Sequence, residues 1–517
     1  MKFGKPKIEV VQLELFTNRF RAIAEEMGEM LRRTAISTNV KERLDFSCAI
    51  LDAAGELVVN APHMPVHLGA LGLCVRSLLA ELEIAPGDVV VTNHPAYGGS
   101  HLPDITLVMP VVSAKNKLLG YVANRAHHAE IGGTRPGSMP PFATRLSEEG
   151  VVIRPFHLIK ADKPDWQRMR NLLTAGPDPT RALSDNLADL RAAVAANTRG
   201  ALALQRLADT HGHDTVAHAM SDLKRLAERQ IRAALQALPD GSYQAEDALD
   251  DGSPLNVQIE ISGDTAAIDF GGTAAVHPGN LNATPAIVRS VVIYIMRLLI
   301  DQPLPLNEGL MQPVSVTIPK GILNPEFPED PDRAPAVVGG NVETSQRLVN
   351  LFLQALGLAA ASQGTMNNTL FGTDAFGYYE TVCGGCGAGP GFDGASAVHT
   401  HMTNTRITDP EILEHRYPVR LERFAIRKGS GGAGRFRGGD GVIRELTFLR
   451  EMTLSFVSQH RNHGPAGLAG GQPGQPGSQQ IVRASGKTSK LKSVDGCRVY
   501  PGDRLVLETP GGGGCGG

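Results

Sequence analysis

The chain has 517 residues, with 50 Lys and Arg against 53 Asp and Glu, a formal net charge of -3, and 42% hydrophobic residues. That balance describes a globular chain with ample core, and it excludes an electrostatic nucleic-acid binder because no basic excess exists to neutralise phosphates. Aromatic residues at 5% and a single Trp leave no broad base-stacking platform, and 6 cysteines in so long a chain do not make a disulfide framework. The length suits about three domains or one large composite body. The opening MKFGKPKIEVVQLELF lacks an uninterrupted apolar core and a small-residue cleavage site, and the most apolar stretch, 288–300, contains Arg297 and is too short to span a bilayer. Cytoplasm is the expected location.

In chain order, residues 13–38 have apolar residues at helical spacing and predict a long amphipathic helix. Residues 46–59 predict a hairpin centred on Ala53, Ala54 and Gly55. His63 and His67 stand four apart, the spacing of paired ligands on a helix, but Pro65 between them disfavours that helix and points to loop positions. His67 is the better site candidate of the two; a hydrogen-bonded structural histidine is the alternative.

The chemically densest stretch is 92–133, TNHPAYGGSHLPDITLVMPVVSAKNKLLGYVANRAHHAEIGG. Two β-branched, apolar runs, 105–112 and 118–126, flank a short polar segment, as in a β-hairpin. A turn centred near Lys115 sets Asp104 opposite Ala126, with His127 beside it and His101 close to both. Two imidazoles and a carboxylate converging at a strand end form a candidate divalent-metal site; the alternative is three separate polar loop residues. His128 follows directly. The Pro-rich loop 134–155 is too long for mere connection, and near its end Glu148 and Glu149 offer a carboxylate as general base or as a partner to a ligand.

Residues 175–237 predict a helical hairpin, capped by Ser184 and punctuated by Gly212. A strand then ends in DFGGT, 269–273, which is like a phosphate-binding turn, yet no helix follows it. Helices are expected over 284–300 and beyond Gly339, Gly340 and Asn341, where a polar helix start can meet an anion. The second dense stretch, 378–406, gathers Glu380, His399, His401, Asn404 and Arg406 among glycines. His399 and His401 alternate along an expected strand so that both enter one pocket, and Arg406 suits a substrate carboxylate. Cys383 and Cys386 form a CxxC with no second pair at zinc-ribbon spacing. The remainder reads as β-rich. Its glycine motif at 429–434 precedes no helix, and Ile481 stands where a Walker A glycine is needed, so no nucleotide site emerges. The expected architecture is α+β: a large multi-lobed body with mixed and antiparallel sheets. It divides into an N-terminal lobe (1–175) with the metal hairpin, a helical segment (176–245), a central α+β lobe (246–420) and a β-rich, Gly-rich C-terminal region (421–517).

Ordered motifs over nearly the whole chain carry a resemblance: KERLDFSCAI, MPVHLGAL, AYGGSHLPDITLVMPV, AHHAEIGGTRPGSMPP, ATRLSEEG, DFGGT, GGNVETSQR, VHTHMTNTR, GSGGAGRFRGGDG and TPGGGG. The sequence resembles the hydantoinase B/5-oxoprolinase B-type (N-methylhydantoinase B) family, to which subunits of acetone and acetophenone carboxylases are related. The resemblance implies an ATP-dependent, two-component cyclic amide hydrolase. An A-type partner with an actin-like ATPase fold would bind ATP and phosphorylate a lactam or hydantoin. This chain would hold a divalent metal (Zn, Mn or Fe) on His101, Asp104 and His127 and complete ring opening, with His128 or Glu149 relaying the proton. His67, His399, His401 and Arg406 would contact substrate. Ketone carboxylation and a non-catalytic scaffold are the alternatives. Departures from the family pattern are His94 and Glu130, where Asp is common, and the CGGCG run.

Overall fold

The computed structural model describes residues 10–60 and 64–517; His63 lies outside them. The fold is mixed α+β, as expected, and four sheets organise the described residues.

The N-terminal sheet contains β1 (Phe46–Asp52), β2 (Leu57–Asn60), β3 (Val89–Thr92), β4 (Asp104–Val112), β5 (Leu118–His127), β6 (Phe156–Lys160) and β7 (Lys163–Pro164). Their order is β2-β1-β5-β4-β3-β6-β7, and the paired strands run antiparallel. Both faces are covered, which is why β1, β4 and β5 read as apolar runs rather than as clean alternations. One face packs Cys48, Ile50, Leu107 and Val122 into the main core with helices Val10–Thr34 and Leu183–His211. The other sets Ala49, Leu51, Val108, Tyr121 and Ala123 against helix Ala70–Glu81. Residue parity therefore decides destiny: on β5, odd positions such as His127 face the second side and even positions such as Asn124 face the helices.

The first helix ends at Thr34 rather than at 38, and Ser37 starts a separate short turn, Thr38–Lys41, by accepting from the Val40 amide at 3.4 Å. The helical hairpin is present, with Gly212 at φ 87 between its helices. Ser184 is not its cap; the helix begins one residue earlier, at Leu183. The hairpin's first helix docks on the N-terminal sheet. Asn124 donates to the Ala193 carbonyl at 2.7 Å and Asn197 to that of Leu107 at 3.1 Å.

A second, four-stranded sheet follows, from Gly241–Ala248, Pro254–Ser262, Thr265–Asp269 and Val314–Thr317. Its alternating burial fits one wet face. The DFGGT turn caps itself, with Asp269 accepting from the Gly271 amide at 2.8 Å, and leads into loop. Two further sheets build the C-terminal half around Phe371, Tyr378, Leu446, Phe448 and Phe456. There the CGGCG run, the 429–441 glycines and the terminal glycines pack backbone on backbone. A Cβ on Gly512 would lie 1.9 Å from the Cys386 carbonyl oxygen, so the tail is a packed element. The six cysteines are free. Among the described residues, no helix is long and apolar enough to cross a membrane.

Candidate functional site

The hairpin forms with one change in register. Its loop closes as expected, with the Ser113 amide on the Lys117 carbonyl at 2.9 Å and Asn116 left-handed at φ 57. A bulge between Val111 and Val112 then adds one residue to β5, and Asp104 pairs directly with His127, not Ala126. The slip matters because a single residue moves a side chain to the opposite face. With it, Asp104 and His127 share the face that also carries Ser47.

His101 reaches this face from the AYGGS turn. Gly98 sits there at φ 78, and a Cβ on it would come within 2.7 Å of the Cys74 backbone, so the turn needs glycine at that position. His101 Nε2 lies 3.2 Å from Asp104 Oδ2, and His127 Nδ1 lies 3.4 Å from Asp104 Oδ1. One ligand atom from each of His101, Asp104 and His127 falls within 4.8 Å of the others, and the three residues are 0%, 1% and 2% exposed. Asp104 Oδ1, His127 Nε2 and His101 Nδ1 are buried without a hydrogen-bond partner. Two imidazoles and a carboxylate with orphaned polar atoms, packed where water does not reach, fit a divalent transition metal. Electrostatics agree: burial alone would raise Asp104, but His101, His67 and hydrogen bonds from the imidazoles hold it well below the usual carboxylate range. Burial pushes His127 down to about 3, so it is neutral, as a ligand must be.

His67 joins the cluster more closely than the sequence indicated. Pro65 starts a single 3-10 turn that ends at His67. The ring is pinned between Ser47 Oγ at 3.1 Å on Nδ1 and Asp104 Oδ2 at 3.2 Å on Nε2. Ser100 adds a hydroxyl donor to Asp104 Oδ2 at 2.5 Å. Sequence reasoning missed three neighbours. Asp45 accepts the His127 amide on its carbonyl at 2.9 Å, continuing the row across three strands, and burial pushes its carboxyl up to about 7. Asn341, on the π-helical turn Gly340–Thr344, sets Nδ2 at 3.2 Å from His101 Nε2. Tyr379 stacks on His127 with centroids 4.6 Å apart, and its hydroxyl donates to Asn368 at 3.0 Å. Arg43 lies under that ring, 4.9 Å from its centroid, and is fully buried. Asp45 and Arg43 sit in KERLDFSCAI and Asn341 in GGNVETSQR, so the signal was present as motif but without a chemical pattern.

Four expected site residues face elsewhere. His128, at an even position, turns to the helical side, where its Nδ1 lies 3.1 Å from Asn186 Nδ2. Glu149 is buried and uses both carboxylate oxygens on backbone: Oε1 accepts from the Val337 and Val338 amides, each at 2.9 Å. Burial pushes it up to about 8 against those hydrogen bonds, and its geometry is that of a clamp on the segment leading to Asn341. His399 and His401 do not alternate on a strand. No strand forms there, and His401 turns the chain at φ 54, placing Nε2 at 3.2 Å from Asn350 Oδ1 and Nδ1 at 3.4 Å from the Tyr294 hydroxyl. His399 Nδ1 is buried without a partner. Arg406 is exposed and lines a cleft of about 520 Å³ with Arg32, Leu44 and Phe46, the last two flanking Asp45.

The departures resolve structurally. Glu130 accepts from the Gly132 and Gly137 amides at 2.6 and 2.9 Å and pairs with Arg181 at 3.1 Å, stapling the Gly-rich loop. His94 caps the turn Pro95–Tyr97, its Nδ1 accepting from the Ala96 amide at 3.1 Å, a duty that Asp performs equally well. Burial lowers its pKa from 6.5 to about 4. An unfolded His94 takes up a proton near 6.5 and the folded one only near 4, so its stabilisation is complete above 6.5 and is lost as pH falls towards 4. Thermal melts should show this acid-side loss, and His94→Asn, which keeps the cap, should recover on the order of 2–3 kcal/mol of it by pH 4.

Comparison with known proteins now bears on this geometry. The Hydantoinase B/oxoprolinase family model matches residues 9–517. The chain belongs to that family. Among its relatives, 5-oxoprolinase 1 of Arabidopsis thaliana is 44% identical over 100% of this chain and 42% of that protein. The chain thus spans about two fifths of the length of the curated 5-oxoprolinases it matches. A solved structure of the ATP-dependent caprolactamase from Pseudomonas jessenii is 27% identical with a TM-score of 0.89, covering 99% of this chain and 92% of that one. Acetone carboxylase in its nucleotide-free structure shares the fold, with a TM-score of 0.88 at 18% identity over 98% of this chain and 76% of that one.

Proposed function

We propose that this chain is the B-type component of an ATP-dependent cyclic amide hydrolase of the 5-oxoprolinase or hydantoinase type. The buried His101, Asp104 and His127 cluster carries the reading, because a purely structural role gives no reason to orphan three polar atoms there. The 5-oxoprolinase relatives and the caprolactamase, named for cyclic amide substrates, support it. A partner component of the hydantoinase A type, with an actin-like ATPase fold, supplies the phosphorylated substrate; no nucleotide motif stands in this chain.

His101, Asp104 and His127 would hold a divalent ion (Zn, Mn or Fe), which would supply Lewis acidity to the substrate's carbonyl group. The chain's own groups do the rest. His67 and Ser100 fix Asp104, and Tyr379 and Asn341 fix the two imidazoles, so that the ligand set is held in one orientation. Asp45, in the same row, is the group we assign to proton exchange, in place of His128 and Glu149. Arg406, on a cleft it shares with the paired Arg32 and Glu29, is assigned to the carboxylate of an anionic lactam. Reconstitution with an A-type component tests this. ATP-dependent conversion of 5-oxoproline or a hydantoin to its ring-opened product is the expected result. Bicarbonate-dependent consumption of a ketone, with no lactam turnover, would transfer the reading to a carboxylase.

A further inference from the structure

Arg43 is fully buried, yet among the described residues it forms no ion pair, and every acceptor that holds its guanidinium is neutral. Nη1 donates to the Tyr379 carbonyl, Nη2 to the Thr381 and Thr405 hydroxyls at 3.2 and 3.4 Å, and Nε to the Arg406 carbonyl at 3.3 Å. The Arg406 amide returns a bond to the Arg43 carbonyl at 3.0 Å. A lysine cannot replace this anchor, because only the planar fork presents donors to several acceptors at fixed angles. Burying a cation without a counter-charge is unfavourable, so the shape and position of Arg43 must compensate.

Its neighbour across the ring is a metal-ligand candidate. Arg43 Cζ lies 4.9 Å from the Tyr379 centroid, and that ring stacks on His127 with centroids 4.6 Å apart and planes at 19°. Tyr379 is held at both ends, its carbonyl by Arg43 and its hydroxyl by Asn368. His127 has no comparable hold of its own. Its Nδ1 lies 3.4 Å from Asp104 Oδ1 and its Nε2 is buried without a partner, so no hydrogen bond from outside the cluster sets the ring. His67 and His101, by contrast, meet Ser47 and Asn341. The segment of Arg43 also reaches His127 by backbone, since the Asp45 carbonyl accepts the His127 amide. Between them Leu44 is left-handed at φ 57, a conformation that leucine keeps only where its surroundings enforce it. That kink lets the Arg43 side chain meet Tyr379 while the Asp45 backbone meets His127.

We infer that Arg43 is the positioning residue for the His127 ligand and acts through Tyr379: the guanidinium fixes the tyrosine, and the tyrosine fixes the imidazole plane. The inference rests on the metal-site reading of His101, Asp104 and His127, and it names what holds the member with the fewest bonds. A ligating histidine ordinarily takes its orientation from a hydrogen bond on its second nitrogen. A stacked ring stands in that place here.

Cobalt(II) titration of the full metal-free chain, read by calorimetry and visible absorption, tests this. Tyr379→Leu should lose about 10–100-fold in affinity, as other losses of ligand-orienting groups do. Arg43→Lys keeps the charge and loses the fork; it should lose at least about tenfold and shift the cobalt absorption bands at saturating metal. The double variant should bind no more than about threefold more weakly than Tyr379→Leu alone, because Arg43 acts only through that ring. Should the lysine variant not fold, Arg43→Met takes its place with the same expected loss, since it strands no carboxylate. Wild-type affinity and spectrum in a folded Arg43 variant overturn the inference. So do losses that multiply in the double variant, and so does tighter binding in Arg43→Met, which would put the charge rather than the fork at work. A wild type that binds no cobalt sinks the metal-site reading itself, and this inference with it.

Discussion

Asp104→Asn should strip the chain of its divalent metal while leaving it folded. Asp104 is the one anionic member of the cluster, and its carboxylate is the common partner of His67, His101 and His127. Changes to groups that merely orient ligands cost about 10–100-fold in metal affinity, so loss of the anion itself should exceed about 100-fold. Asn retains the size and one acceptor, for which Ser100 remains a donor. Elemental analysis of the purified variant beside the wild type reads the metal, and ATP-coupled lactam turnover with the A-type component reads its consequence. Metal retained with turnover intact would remove the cluster from the mechanism. Metal lost with turnover intact would make it a structural site.

The second large effect lies away from the chemistry. Glu380, which the sequence placed among candidate site residues by density alone, forms a buried bidentate pair with Arg444, Nε to Oε1 at 2.7 Å and Nη2 to Oε2 at 3.1 Å. The two side chains are 0% and 2% exposed, and Tyr378 donates to the same carboxylate at 3.0 Å. The pair joins strand Phe376–Glu380 of one sheet to strand Val442–Phe448 of the other. Arg444→Leu should cost about 3–5 kcal/mol, because it abandons a charge inside the C-terminal core, whereas Arg444→Leu with Glu380→Leu should be far closer to wild type. Calorimetric melts of the two single variants and the double variant measure the coupling. Equal losses in all three would show that the pair's packing, not its charge, supports the sheets.

Much of the site was legible because its chemistry is carried by short-range pattern. The β4–β5 hairpin announces itself by two apolar runs around a polar loop, and it places Asp104 near His127 whatever the rest of the chain does. The CxxC was set aside because no second pair stands at zinc-ribbon spacing, and the phosphate-like DFGGT turn leads into a loop instead of a helix. What failed was inference that required a backbone course. His399 and His401 share no strand face because His401 adopts a left-handed φ. Glu149 was read as a general base or a partner to a ligand, but two amides from a segment nearly two hundred residues away engage it.

The sequence alone determined the family, the α+β class, the helical hairpin and the clustering of His101, Asp104 and His127, since these depend on periodicity, motif order and contacts within one hairpin. Only the tertiary structure decided the register and the company of the site. A bulge at Val111 and Val112, invisible to periodicity, turned a diagonal pair into a direct one. Strand parity then sent His127 and His128 to opposite faces of a sheet covered on both sides. Asp45, Asn341 and Tyr379 come from stretches far apart in the chain, and no local spacing encodes their meeting. Long-range packing brings them together, and it decides which polar atoms are satisfied and which are left for a ligand.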